Sequence, residues 1–451
     1  MLIRKAFILG LLGLASILPR ALSASESEPP KLTLLEASER ALAHYPSLAL
    51  ARAHRQMAAA ELGEAEARSR PTATMGASAE RYEEEMLVSP IHGFTPDLIP
   101  DFDRTLLRGS LTVGYDLYAG GVRKADRESK AALLAASGAE IEQEERSLVA
   151  TTVTLYLRIL EVQELLSAHQ GRMQALAAEQ DRVERLLEVG RAARVDQLRI
   201  AAALAAAEAE RATLAAFLDS AERNLARWTG LAPEDTRAAH LVPIRLASDI
   251  DPDRPSLEEQ ALATNPSLLE AKEKLAAAES ALRAASGGNR PRVGIAGNYL
   301  GFGAARGDPI GEWNVGAALR WSLWDGGQTK ERVARAEAVR DAAFETLRLS
   351  RKRVLAELDR TLVDRIEAQA RSRSLATAAM GFEEVARIEA LRLEAGSGVQ
   401  ADFLDAEAVL LRTRSQYTSA QHAVIRTRVE LARITGLLDP GWLARSLETK
   451  P

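Results

Sequence analysis

The chain has no cysteine. That excludes disulfides, thiolate metal sites, cysteine nucleophiles and a lipid-modified N-terminal Cys. Aromatic residues make up only 4% of its 451 positions, while alanine dominates the apolar content and glycine and proline gather in short joints. This composition suits long helices packed through small side chains. Beyond the first two dozen residues no apolar run reaches about 18, so the mature chain is expected to hold no transmembrane helix, although β-strands can cross a bilayer on a far weaker signal. A basic excess is missing too: the net charge is −5, and no basic stripe points to nucleic acid. The six histidines (His44, His54, His92, His169, His240, His422) are scattered without i, i+4 pairing, so no metal site is expected. There is no phosphate-cradling glycine loop, no Gly-x-Ser-x-Gly and no nucleophile–base set. An enzyme is therefore disfavoured, and no cofactor is expected.

What the chain does have begins with Arg4 and Lys5, the apolar run Ala6 to Leu18, and small residues to Ala24. This reads as a secretory signal peptide over residues 1–24, with cleavage expected after Ser23 or Ala24. The stretch from Val122 to Val189 organises the rest. It lacks proline, and Ile141, Leu148, Thr152, Leu155, Ile159, Val162, Leu166, Met173, Leu176, Val183 and Leu187 recur at steps near 3.5 residues. That period marks a helix wound against partners, on the order of 100 Å long at about 1.5 Å per residue. One compact domain cannot contain it.

The order of elements then repeats. Before the long helix come a short amphipathic helix opening at Leu32 and closed by Tyr45-Pro46, and a helix over 47–70 ending at Pro71. A strand over 72–82, a loop over 83–104 and a strand over 105–118 follow. After the long helix a returning helix over 195–229 ends at Thr229-Gly230-Leu231. Thr264-Asn265-Pro266-Ser267-Leu268 echoes His44-Tyr45-Pro46-Ser47-Leu48, and Pro291 echoes Pro71 at the same offset. Trp324-Asp325-Gly326-Gly327 echoes Tyr118-Ala119-Gly120-Gly121. Gly396 echoes Gly190, Asp402 echoes Asp196, and Thr435-Gly436-Leu437 echoes the first ending, all at a second, shorter offset. The first copy is thus longer only between Pro71 and Tyr118, in the Pro-containing loop, where insertions cost least. The repeats span 25–231 and 256–438, joined by a Pro-rich linker over 232–255 and followed by a tail over 439–451. Gly120, Gly121, Gly326 and Gly327 read as strand-to-helix joints, and Gly190, Gly396 and Gly398 as turns between antiparallel helices.

The four strands, 72–82, 105–118, 291–302 and 312–324, each have about the length that crosses a bilayer tilted. Leu111, Val113, Tyr115 and Leu117 share one face, as do Val315, Ala317, Leu319, Trp321 and Leu323; Thr112, Gly114, Asp116, Asn314, Gly316 and Arg320 lie opposite. Tyr115, Tyr118, Tyr299, Trp313, Trp321 and Trp324 fall near strand ends, as membrane-interface aromatics do. Alternation alone also fits a small soluble sheet capping the helices. Four strands cannot close a membrane barrel, since about eight is the lower limit, and open edges are not tolerated in lipid. Strands that span a membrane here must share one barrel with other chains.

Leu32-Thr33-Leu34-Leu35-Glu36-Ala37 with Tyr45-Pro46, the paired Gly-Gly joints, the turn from Gly396 to Ala406 and both Thr-Gly-Leu endings together resemble the TolC-type outer-membrane efflux proteins. The resemblance covers about residues 31 to 438. It implies a mainly α fold with a small β part: a homotrimer in the outer membrane whose chains each give four strands to one twelve-stranded β-barrel. A long helical barrel of coiled coils would continue it through the periplasm. It also implies a passive exit duct of a tripartite efflux or type I secretion system. Its partners would be outer-membrane lipid, a periplasmic adaptor (membrane fusion) protein and an inner-membrane RND, ABC or MFS pump.

Asp402 and Asp405 follow the Gly396-Ser397-Gly398 turn at the start of the returning helix. Acids there also serve simply to cap free amides and favour the macrodipole. The segment Asp402-Phe403-Leu404-Asp405-Ala406 is similar to the acidic segment lining the closed periplasmic tip of TolC-type channels, which implies a carboxylate ring able to bind cations. The first copy keeps Asp196 but has Arg199 where Asp405 falls, so the two turns are not equivalent. Two rival readings remain. A periplasmic coiled-coil adaptor would flank one helical hairpin with β-domains, whereas here β-hairpins lie inside two helical repeats. A secreted hydrolase lacks its catalytic set.

Overall fold

The computed structural model describes residues 31–92, 100–247 and 253–449. The signal segment, residues 93–99 of the loop and residues 248–252 of the Pro-rich stretch lie outside the described residues. In chain order the elements are β1 (Lys31–Leu32), α1 (Leu34–His44), α2 (Pro46–Ala67), β2 (Thr72–Leu87), β3 (Phe102–Ala119), α3 (Val122–Glu188) and α4 (Arg194–Thr229). Then come α5 (Pro233–Ala238), β4 (His240–Leu241), β5 (Ile244–Leu246), α6 (Arg254–Thr264), α7 (Pro266–Ser286), β6 (Arg292–Ala304) and β7 (Ile310–Arg320). The chain ends with α8 (Gln328–Glu394), α9 (Gln400–Ile434), α10 (Pro440–Ser446) and β8 (Leu447–Thr449).

Local chemistry sets the boundaries. Thr33 caps α1 by accepting from the Glu36 amide at 3.1 Å, and Pro46 opens α2 at a position whose amide needs no partner. In the second copy Asn265 caps α7, accepting from the amides of Ser267 and Leu268 at 3.1 and 3.4 Å, and Pro266 opens it. The helices α3 and α8 are each 67 residues long. Each starts from a left-handed glycine, Gly121 at φ 82 and Gly327 at φ 90, so the Gly-Gly joints turn strand into helix where other residues would be strained.

The strands form one four-stranded antiparallel sheet in the order β2-β3-β6-β7. Its register aligns the two sequence faces across the whole sheet. Leu111 lies opposite Met75 and Tyr299, and Tyr299 opposite Trp313; Val113 lies opposite Ala73 and Gly297, and Gly297 opposite Val315. On the other face Thr74, Thr112, Asn298 and Asn314 make a polar row. Within it Thr112 Oγ1 donates to Asn298 Oδ1 and Asn298 Nδ2 to Asn314 Oδ1, both at 2.8 Å. Simple alternation would put Tyr118 on this polar face beside Asp116. A bulge at Leu117 instead pairs Asp116 with Gly294 and Tyr118 with Val293, returning Tyr118 to the apolar face.

Strand bounds depart from the expected ones. The first pair is longer: β2 runs on to Leu87 and β3 starts at Phe102, so residues 83–87 and 102–104 of the stretch read as a loop are strand. Acidic residues hid it, because Glu83-Glu84-Glu85 breaks the apolar alternation. The last strand is shorter: β7 ends at Arg320, so Trp321 and Trp324 follow the strand instead of lying in it, and Trp321 Nε1 donates to Asn289 O at 2.9 Å. The connection left between β2 and β3 is closed by the Val88 amide on Asp101 O at 2.9 Å, with His92 reaching Glu312. Replacing residues 89–100 by a tight turn is expected to leave assembly intact, since shortening a loop changes closure entropy by only about 0.6 kcal/mol per halving. Heat-modifiable migration on gels checks this, and a variant that no longer assembles would show the connection to be structural.

Of the stretches read as linker and tail, residues 232–247, 253–255 and 439–449 are structured. Two short pairings wrap the helices at mid-height, β1 with β4 in parallel and β5 with β8 antiparallel. The main core lies beneath them, joining Val149, Val153, Leu157 and Leu160 of α3 to Leu225 of α4, Val429 of α9, and Trp442 and Leu443 of α10. Tyr156 is fully buried there, its hydroxyl 2.8 Å from Leu32 O and 2.9 Å from Val242 O. Burial pushes its pKa up, so the phenol stays protonated.

Candidate functional site at the hairpin tips

Farthest from the sheet, the chain makes two helical hairpins, α3–α4 and α8–α9. Their turns use glycine twice over. Gly190 at φ 72 and Gly396 at φ 74 take the left-handed conformation. Gly398 serves a different need, because a Cβ there would stand 2.7 Å from the Leu393 amide nitrogen. The hairpins meet in a small apolar cluster of Leu176, Ile200, Leu393 and Phe403, which fixes the turns relative to one another.

On that platform the three candidate acids differ. Asp402 and Asp405 are exposed, one helical turn apart on α9, and neither makes an ion pair or side-chain hydrogen bond among the described residues. The N-cap of α9 is Val399, with no side-chain cap bond, so neither acid is spent on closing the helix. Asp196 is half-buried, and its Oδ1 lies 3.9 Å from Arg199 Nη1 on its own helix. The second turn therefore presents free negative charge, and the first neutralises its own.

Sequence reasoning missed a set of charged residues just behind the turns. Arg182 forms a two-point pair with Glu179 at 2.7 and 2.8 Å, and its pKa is raised by that bond and, more weakly, by Glu394 across from it on α8. Higher up, burial pushes the Glu407 carboxyl of α9 upward, against the pull of Arg172 on α3 and of Arg414. Arg172 and His169 both approach Glu210 at 3.7 Å, and burial holds the His169 pKa down. The Glu210 contacts join α3 to α4 within the first hairpin, while the attractions of Arg182 to Glu394 and of Arg172 to Glu407 run from one hairpin to the other. They lie on separate helices far apart in sequence, so no local spacing announces them.

Two long hairpins with a free acidic turn, hung from a sheet with an exposed apolar face, is an arrangement with known parallels. Residues 37–231 and 257–437 match the outer membrane efflux protein family. The chain belongs to that family. The family's place is the outer membrane, reaching into the periplasm, and its work is to form exit ducts for efflux; it is a family of channels and not of enzymes. Solved structures share the fold. The outer membrane protein VceC of Vibrio cholerae is 21% identical, with 89% of this chain and 96% of that one covered and a TM-score of 0.76. The CmeC outer membrane channel of Campylobacter jejuni is 16% identical over 91% and 88% at 0.78. The open-state MtrE channel of Neisseria gonorrhoeae is 18% identical over 89% and 88% at 0.72. No curated protein matches in sequence. Within this fold class the four strands of each chain are a third of a trimeric barrel, continued by the helices as a second, hollow barrel.

Proposed function

We propose that three copies of this chain form the outer-membrane duct of a tripartite efflux pump or type I secretion system, conducting passively and closed at the hairpin tips. The observation that carries this is the sheet. Its edges, β2 and β7, have no partner strand among the described residues, and one face carries Trp313, Val315 and Leu319 at 76%, 73% and 67% exposure. Open edges beside an apolar face are unstable in water and forbidden in lipid; joining β7 of one copy to β2 of the next removes both. The same need shows on α8, which leaves Phe344, Val363, Ile366, Met380 and Val385 exposed, a stripe suited to another helix. On this reading Tyr299 and Trp313 form the outer girdle, and Tyr115, Tyr118, Trp321 and Trp324 the inner one. Tyr299 pairs with Leu111 and Tyr118 with Val293, six residues along β6, so the girdles stand roughly 20 Å apart along the tilted strands at about 3.3 Å per residue.

The tips would carry the gate. In a closed trimer Asp402 and Asp405 of three chains would face one narrow opening, and the longer-range attractions of Arg182 to Glu394 and of Arg172 to Glu407 would favour each hairpin lying against its neighbour. Docking of a periplasmic adaptor and an inner-membrane RND, ABC or MFS pump would untwist the hairpins. The test is direct. The full chain, expressed in a Gram-negative host, is expected in the outer membrane, to be extracted by detergent as a trimer by light scattering, and to conduct in planar bilayers. A monodisperse, water-soluble monomer from the periplasm would rule the duct out.

A further inference from the structure

Where the sheet joins the helices, a cavity of about 390 Å³ opens between α3, α7 and α8. Its polar wall holds Arg292 from the start of β6 and Arg332 and Arg335 from the first turns of α8; its apolar wall includes Val122, Ala281 and Val339. Arg320, at the end of β7, stands directly opposite Arg292 in the ladder. Like charges in that position repel each other. All four arginines are exposed, and none forms an ion pair among the described residues.

The nearby acids are engaged elsewhere. Asp116 lies 3.9 Å from Arg123, and Asp126 lies 3.0 Å from Arg68. Asp325 accepts from the Gly327 and Thr329 amides at 3.1 and 2.9 Å and from the Thr329 hydroxyl at 2.6 Å. Glu331, one turn before Arg335, makes no ion pair with it. Within one copy the arginines form a cationic surface with no paired acid among the described residues.

On the duct reading the cavity opens toward the lumen. Arg292 and Arg320 share the face of Asn298 and Asn314, opposite Val315 and Leu319. On α3 the cavity takes Val122, Asp126 and Ser129, whereas Lys124 and Arg127 on the far side line a separate recess with Tyr118, which shares the apolar face.

We propose that Arg292, Arg320, Arg332 and Arg335 form a lumenal collar that binds amphiphilic anions passing through the duct, the guanidiniums taking a carboxylate, sulfonate or phosphate and the apolar wall taking the hydrocarbon. Guanidinium suits this role because its planar fork meets such oxyanions at two points and holds its water weakly. The cavity has the size and mixed lining of a small-molecule site. The inference rests on the duct reading and names a substrate class for it.

The probe is taurocholate below its micellar concentration, added to single full-length trimers in a planar bilayer of zwitterionic lipid. CHAPS, which shares its steroid body but has a zwitterionic head, and inorganic phosphate, which has no apolar body, are the comparisons. Taurocholate is expected to block the wild-type current at far lower concentration than either. In Arg332→Gln/Arg335→Gln, whose side chains make no hydrogen bond or ion pair among the described residues, unblocked conductance should persist while the half-blocking concentration rises about tenfold or more. Equal block by CHAPS, or block of the variant as in the wild type, overturns the collar. So does native mass spectrometry in which the variant loses bound phosphatidylglycerol while taurocholate block is unchanged, because the arginines would then hold a lipid headgroup. A wild-type protein that conducts without being blocked defeats the collar alone; one that never conducts defeats the duct.

Discussion

A trimer carrying Asp402→Ala and Asp405→Ala is expected to lose most of its block by divalent and trivalent cations applied from the periplasmic side. On the proposed gate, six carboxylates crowded around one opening would favour a bound cation, and removing them would abolish the site. The half-blocking concentration should rise by at least on the order of tenfold, equivalent to about 1.4 kcal/mol, and selectivity for cations over anions should fall. Stability should barely move. Neither acid caps α9, whose N-cap Val399 carries no side-chain bond, so the helix loses only a weak macrodipole term and the melting temperature shifts by no more than about 2 °C. Asp196→Ala should change block far less, because Arg199 already offsets that charge. If both acids act only on helix stability, the pattern reverses: a small loss of stability with block unchanged. Planar-bilayer recordings beside thermal melts separate the cases, and undiminished cation block in the double variant would sink the gate assignment.

Gly436→Ala should be among the most damaging single-methyl substitutions in the chain. Gly436 ends α9 at φ 69, and a Cβ there would stand 2.5 Å from the Thr264 carbonyl oxygen. That oxygen belongs to a tightly made joint: Thr264 Oγ1 donates to Thr435 O at 2.6 Å, and Asn265 Nδ2 to Ile434 O at 2.9 Å. Left-handed strain of about 1–2 kcal/mol adds to the displacement of backbone from backbone, for a total of about 2–4 kcal/mol. Its counterpart Gly230, at φ 71, meets the His44 side chain at 3.0 Å instead. There the neighbours, His44 Cβ and Cγ, need give only a few tenths of an ångström, so Gly230→Ala should cost about 1–2 kcal/mol, mostly conformational. Loss of helical circular dichroism on heating measures both, and equal shifts for the two variants would show that the contact with Thr264 carries no weight.

The two glycines also show where sequence and structure divide. The repeated Thr-Gly-Leu endings, the Gly-Gly joints and the 3.5-residue period all sit within a few turns of chain. The steric freedom of glycine and the pitch of a helix act over that range, so the sequence by itself determined two copies of helix, β-hairpin, very long helix and returning helix. The faces of the strands were legible for the same reason, because alternation is local. The tertiary structure alone decided what depends on contacts between distant segments. The bulge at Leu117, which returns Tyr118 to the apolar face, depends on pairing with β6. The ordering of residues 232–247 and 439–449 depends on β1, β5 and the core under Trp442, since strands of two or three residues have no signal of their own. At the tip, spacing put Asp402 and Asp405 beside the turn. Only the packed hairpins made them differ from Asp196, because a carboxylate's freedom is settled by whichever cation reaches it in space.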